Sequence, residues 1–219
     1  MYAGGDDVLG FVPLNHAYAC ADALQKAFQQ SLAAVATKLG AQTPTLSVGL
    51  AIVHLMTPLA NIRQLAQTAE SIAKGDGESD DQRRNALGIT LSLRSGITRS
   101  IRLRWDDDGA QQALVNWINA FSQKTLPSRI AYDMQEIVIR THFPTDDAQL
   151  QNIRQAELGR MLKQAKTMDG QDIQKELQIA LTNRLDQLGD MQKLADELII
   201  ARWLAAKTST DILMENRHD

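Results

Sequence analysis

A second cysteine is missing from this sequence. Cys20 stands alone among 219 residues, so no intramolecular disulfide can form. Set among alanines in YACADAL, it reads as a small buried filler and fits a reducing, cytoplasmic setting. No apolar run is long enough to span a bilayer, and the N-terminus lacks the basic-then-apolar layout of a secretion signal. A basic excess is missing too. The net charge is −3, which disfavours a chain that grips nucleic acid unaided and leaves such a role to a local basic patch or a basic partner. Histidines are few: His16, His54 and His142 are scattered without ligand spacing. His218-Asp219 spells the dipeptide of HD phosphohydrolases, but it sits in a polar C-terminus without the other ligands such a site needs, and reads as chance. No Ser/His/Asp or Cys/His nucleophile set stands out. Internal repeats and a glycine-rich linker are likewise absent.

What remains is ordinary for a soluble globular chain, 44% apolar and 22% charged, long enough for one large domain or two small ones. Two short apolar pieces, 2–4 and 8–12, flank Gly4-Gly5-Asp6-Asp7 and predict a β-hairpin with Gly/Asp turn chemistry. Asn15 is a plausible N-cap for a helix over about 16–39, where Tyr18, Ala21, Leu24, Phe28, Leu32, Val35 and Leu39 recur at steps of three and four. Gly40 stops it. TLSVGLAIVHL reads as a buried strand. A helix follows from Pro58 to Gly75, and then an acidic stretch, GDGESDDQ at 75–82, predicts a mobile loop. NALGITLSL and ITRSIRLRW predict a second hairpin. The order β-β-α-β-α-β-β gives a sheet with helices on one face, an α+β arrangement.

After Trp105 the pattern turns helical, over about 109–124, 128–142, 146–168, 170–188 and 190–207, with Ser128 and Thr145 as N-caps. This divides the chain into a sheet domain, 1–106, and an all-α domain, 107–219, joined at WDDDGA. Trp117, Phe121, Tyr132, Ile137, Leu198 and Trp203 read as the core of the helical part.

The chemistry concentrates at the opening hairpin. Two adjacent carboxylates suit Mg²⁺, which prefers hard oxygen ligands and takes one or two protein carboxylates beside water and phosphate oxygens. Side-chain-free Gly4 and Gly5 let a nucleotide approach the backbone. Gly and Asp are also simply what turns are made of, so the tetrapeptide alone favours a plain turn over a metal site. Lys74, Arg83 and Arg84 flank the acidic loop and can reach triphosphate oxygens, or can be a solvated helix end and strand start. Arg102 and Arg104 share one strand face, read as solvated rather than as an RNA contact. Asp106, Asp107 and Asp108 precede a helix, where capping and the helix dipole favour acids.

The context sharpens this. YAGGDDVLGFVPL resembles the active-site hairpin of the palm in the large subunit of type III CRISPR effector complexes of the Cmr kind, a palm related to GGDEF-type nucleotide cyclases. PTLSVGLAIVH is similar to that family's next core strand, and RRNALGITLSLRSG to its arginine-asparagine-alanine segment, with Asn85 as the asparagine. SRIAYDMQEI and ELIIARWLA are similar to stretches of its helical C-terminal domain. The resemblance implies a partial, ferredoxin-like palm followed by an all-α bundle. It implies a metal-dependent nucleotidyltransferase that converts ATP into 3′–5′ cyclic oligoadenylate in antiviral defence. Asp6 and Asp7 would be catalytic and hold Mg²⁺ or Mn²⁺, while Gly4, Gly5, Lys74 and Arg84 would bind nucleotide. Implied partners are the repeat-handle-binding subunit, the small helical subunits and, through the complex, crRNA and target RNA, with no membrane.

The chain departs from the family pattern in one respect. A family palm has a strand and helices before the hairpin, and here Met1 stands directly before Tyr2. The expectation is therefore a palm lacking its first strand and helices, inactive without the upstream part of the large subunit. The alternative is a non-catalytic assembly module that binds effector subunits and nucleotide. A diguanylate cyclase is disfavoured by the helical half and by Asp-Asp where that family has Glu-Phe.

Overall fold

Two glycines decide how the first part of the chain is layered. The computed structural model describes residues 2–4, 7–93, 97–141 and 147–206. Strand β3 (Val48–Val53) pairs in parallel with β4 (Ala86–Ser92), which pairs antiparallel with β5 (Thr98–Arg104). The register sets Gly49 beside Gly88. Helix α2 (Leu59–Lys74) lies against that face, with Ala69 and Ala73 fully buried. A Cβ at Gly88 would stand 2.7 Å from the Ala73 nitrogen and closer still to the Ala69 carbonyl oxygen; one at Gly49 would stand 2.8 Å from the Ala69 carbonyl carbon. Only glycine admits the helix backbone this near the sheet. The opposite strand face carries Leu87, Ile89, Leu91, Ile52 and Leu103, all buried, and on β4 the polar Thr90 is also buried and meets Ser100 across the strands at 3.2 Å.

The GlyGlyAspAsp strands form a separate sheet. β1 (Tyr2–Gly4) pairs antiparallel with β2 (Asp7–Leu9), with Gly4 opposite Asp7. The second strand is shorter than the apolar stretch 8–12 predicts, since Pro13 closes a run in which Phe11 and Val12 are exposed and unpaired. Helix α1 (Ala17–Leu39) is entered through a 3-10 turn, Leu14–His16. His16, not Asn15, takes the N-cap position, and neither side chain caps the backbone, because the 3-10 turn occupies the residues a side-chain cap would use. Gly40 ends α1 in the left-handed conformation, as the sequence predicts. The periodic face of α1 is only partly covered: Ala21 is buried, but Leu24, Val35 and Leu39 are 49, 52 and 75% exposed. Cys20 is half-buried rather than buried.

The chain divides into two compact units, one built mainly from the residues up to Asp106, the other Asp107–Ala205. The second is helical throughout: α3 (Asp108–Ser122), α4 (Ile130–Arg140), α5 (Asp147–Gln164), α6 (Lys175–Leu188) and α7 (Met191–Ala205). The architecture is α+β, a mixed three-stranded sheet with its helix layer followed by a helical assembly. Asp107 caps α3, its Oδ1 accepting from the Ala110 N–H at 2.9 Å. Arg129, not Ser128, is the N-cap of α4, again without a side-chain cap. Thr145 lies outside the described residues. Helix α7 is the hub: it packs on α3, α4 and α6, and Leu194, Leu198, Ile199 and Ile200 are buried. Trp117, Phe121 and Leu198 are core as the spacing predicts, but Tyr132 is exposed and lends its ring to Arg202, whose guanidinium carbon sits 5.7 Å from the ring centre. Ile137 and Trp203 are half-buried.

A charged pair lies inside this apolar assembly. Glu197 and Arg184 are both buried, joined by a bidentate contact with Nη2···Oε2 at 2.8 Å and Nε···Oε1 at 3.1 Å. The Trp117 indole N–H donates to Glu197 Oε1 at 2.9 Å. Such a pair survives burial only when its remaining lone pairs and protons find partners, which Trp117 and Gln187 supply.

Candidate functional site

The junction between α2 and β4 gathers the basic residues that the sequence singles out. Helix α2 ends at Gly75, left-handed at φ +70, and the chain returns to the sheet through two successive non-glycine residues at positive φ, Arg84 at +59 and Asn85 at +47. That conformation is costly for side-chain-bearing residues and persists only when the surroundings hold it. Here the surroundings do. The Arg84 N–H donates to the Lys74 carbonyl at 2.9 Å, and the Asn85 carbonyl accepts from Trp105 N–H at 2.8 Å. The structure therefore brings Lys74 and Arg84 together.

The intervening acidic stretch is tied down rather than free. Arg102 Nη2 donates to the Gln82 carbonyl at 2.5 Å and to the Arg84 carbonyl at 3.3 Å. Arg104 Nη1 donates to the Asp81 carbonyl at 3.1 Å, while its Nε and Nη2 form a fork on the Asp106 carboxylate. The solvated strand face expected at Arg102 and Arg104 is thus a loop anchor. The physical reason is register. Gly88 faces Arg102 and Ala86 faces Arg104, so nothing bulky on β4 blocks the guanidinium groups from the loop. Burial lowers the pKa of Arg102, opposed by the nearby Glu78 carboxylate. The Arg104 hydrogen bonds hold the Asp106 carboxyl below the usual range, with a further bond from the Asn85 amide.

The cations differ in availability. Lys74 pairs with Glu70 at 2.5 Å. Arg83 lies 3.7 Å from both Asp76 and Asp80, too long for hydrogen bonds. Arg84 is exposed, and among the described residues no hydrogen bond or ion pair engages its side chain. Sequence reasoning missed the anchoring by Arg102 and Arg104; the signal was present as two same-face arginines and an acidic loop some twenty residues upstream, which Arg102 reaches by hydrogen bonds across 18 and 20 positions.

At the hairpin, Gly4 and Asp7 lie in register opposite one another in β1 and β2. Gly5 and Asp6 lie outside the described residues, as do His142, His218 and Asp219. The donor chemistry of two adjacent carboxylates fits a hard divalent ion such as Mg²⁺ or Mn²⁺. Among the described residues no group of three or more His, Cys, Asp or Glu could hold a metal ion. Asp106 is engaged by Arg104 and Asp107 by the start of α3.

The helical unit contains a cleft of about 260 Å³ lined by Gln112, Asn116, Asn183 and Gln187, with Trp117 and Arg184 also at its wall. Arg184 is already neutralised by Glu197, so the cleft offers amide hydrogen bonding and no unpaired charge to activate a substrate.

No helix among the described residues is long and apolar enough to cross a membrane. No curated protein and no solved structure matches the chain. Residues 1–87 match the family model of the second palm domain of Cas10/Cmr2. The matched stretch contains both hairpin strands, α1, β3, α2 and the Arg84–Asn85 turn. The match spans 87 of the 219 residues, and the helical unit lies outside it.

Proposed function

We propose that this chain is the C-terminal palm and helical part of a type III CRISPR effector large subunit, and that the complete palm makes 3′–5′ cyclic oligoadenylate from ATP. In this reading 1–106 is the palm part and 107–219 the helical C-terminal domain. The observation that carries it is the match over residues 1–87, because that stretch holds the GlyGlyAspAsp hairpin together with Lys74 and Arg84.

The reaction joins two ATP molecules. The 3′-oxygen of one bonds to the α-phosphorus of the other, the bond from that phosphorus to the bridging oxygen breaks, pyrophosphate leaves, and the hydroxyl proton passes to solvent. Asp6 and Asp7 hold Mg²⁺ or Mn²⁺ through their carboxylates. A divalent ion there neutralises phosphate charge. Gly4 and Gly5 leave room for the nucleotide beside the backbone. Lys74 and Arg84 take triphosphate oxygens; Arg84 is the more available, since Lys74 must first leave Glu70.

Completion by an upstream part of the subunit is supported by the sheet itself. Among the described residues β3 is an end strand of its sheet, and the hairpin pairs with neither β3 nor β5. A two-stranded sheet is marginal alone, and an open, apolar edge strand calls for a partner. Exposed Val8, Phe11, Leu24 and Val35 lie in the same unit. The same observation favours the second reading, a non-catalytic assembly module that contacts neighbouring effector subunits. The repeat-handle-binding subunit, the small helical subunits, crRNA and target RNA are the partners in either case, in the cytoplasm.

The test incubates the 219-residue chain, with and without the upstream part of the subunit, with ATP and Mg²⁺ or Mn²⁺, and looks for oligoadenylate by mass spectrometry. Product is expected only with the upstream part present. The Asp6→Ala, Asp7→Ala double change should abolish it and leave RNA binding by the complex intact. Undiminished product from that double variant removes the assigned role; no product from any combination leaves the assembly reading standing.

A further inference from the structure

The Arg84–Asn85 turn poses a question that the phosphate reading leaves unanswered: what holds a strained, side-chain-bearing turn in place so that one arginine stays unengaged. We infer that Arg102 is the positioning residue of the Lys74/Arg84 pair, its guanidinium tying the loop and the left-handed turn to the end of α2 and so holding Arg84 ready for polyphosphate. This rests on the reading of Lys74 and Arg84 as phosphate ligands.

Three observations converge on Arg102. First, one nitrogen, Nη2, serves two carbonyls on the returning chain, those of Gln82 and Arg84. Second, the guanidinium occupies the space at the α2 terminus. A Cβ on Gly75 would lie 2.9 Å from Nη2 and 3.2 Å from the guanidinium carbon, so that glycine clears the arginine's seat as well as supplying the left-handed stop. A cation here also meets the negative end of the helix dipole. Third, Arg102 Nε is buried with no hydrogen-bond partner among the described residues, as is Asn85 Oδ1. Unsatisfied buried polar atoms are uncommon and mark places where geometry is retained against its cost.

The backbone of Arg84 is held at both its polar groups, the N–H by Lys74 and the carbonyl by Arg102, while its side chain makes no hydrogen bond or ion pair among the described residues. That division suits a ligand-binding arginine. Orientation is fixed through the main chain, and the guanidinium is not spent on an internal partner. Arg104 has a different part: its fork on Asp106 and its bond to the Asp81 carbonyl hold the far side of the loop.

The experiment measures tripolyphosphate binding to the 219-residue chain by calorimetry, with a thermal melt of each variant alongside. Arg84→Gln is expected to weaken binding about tenfold, the scale of one charge-assisted contact. Arg102→Met should do about the same, and Arg102→Lys, whose ammonium can still satisfy one carbonyl, should recover part of the loss. The decisive variant is Arg84→Gln with Arg102→Met. If Arg102 acts through Arg84, the double change binds no more weakly than Arg84→Gln alone. Additive losses overturn the inference, since they make Arg102 an independent anion contact. Unchanged binding in Arg102→Met with Arg84→Gln weakened overturns it while sparing the phosphate reading. Unchanged binding in Arg84→Gln, or no binding to the unaltered chain, overturns both. Should Arg102→Met melt early, Arg102→Lys carries the same cycle: its smaller loss should likewise vanish in the Arg84→Gln background, and a loss that persists there overturns the inference.

Discussion

The sheet layer and the helical unit bring backbone together with opposite materials. On the sheet, α2 approaches by subtraction. Gly49, Gly88, Ala69 and Ala73 remove side chain until a helix backbone nearly touches strand backbone. In the helical unit α7 does the reverse, filling the space against α3 and α6 with large apolar residues and with the Glu197–Arg184–Trp117 group. Shape alone holds the first contact. The second adds a charge that must be matched, so it specifies which helix faces which.

The contrast can be broken by substitution. The largest effect is expected at Glu197→Ala, which strands the Arg184 guanidinium and the Trp117 indole. It should cost about 3–5 kcal/mol in chemical denaturation, with amide exchange rising in α3, α6 and α7. Next comes Gly88→Ala, one methyl group pressed into the α2 backbone, expected to cost about 3 kcal/mol by the same measurement. A result near zero for Gly88→Ala would mean that α2 lifts off the sheet at little cost and that shape does not hold it. Gly159→Ala sharpens the point, because it is the same substitution in a helix with nothing within 4 Å of the new Cβ. It should stabilise by about 0.5–1 kcal/mol, as helix propensity dictates. The smallest effect concerns pH. The Asp106 carboxylate, held below its ordinary pKa by Arg104, lends stability that is complete above the unfolded value of about 3.9 and is lost as pH falls through the lower folded value. Asp106→Asn should therefore flatten the acid limb of a melting-temperature profile and change little near neutrality. The exposed setting keeps the effect well under about 1 kcal/mol.

Much of this was legible beforehand because it is written locally. Steps of three and four residues, Gly40 and Gly75 as stops, and the β-branched run of β3 each declare their element within a few positions. Burial was less legible. The periodicity of α1 shows which side of the helix calls for cover, and Leu24 and Leu39 remain exposed because periodicity cannot say what provides it. Contacts between distant residues were the least legible. Arg102 reads as half of a solvated alternation, but the register carries it to the end of α2, and nothing local marks Glu197 as the partner of Arg184 and Trp117. At the candidate site, charge beside an acidic loop singles out Lys74 and Arg84, and a hydrogen bond joins their main chains. The strain at Asn85 could not be foreseen, since asparagine is common at positive φ but is compatible with much else.

The tie between Trp117 and Glu197 spans 80 residues of chain. During synthesis at about 5–20 residues per second, α3 leaves the ribosome several seconds before the helix that completes its packing exists. Its apolar side must wait through that interval, in the nascent polypeptide, for a carboxylate that is among the last groups of the unit to be made.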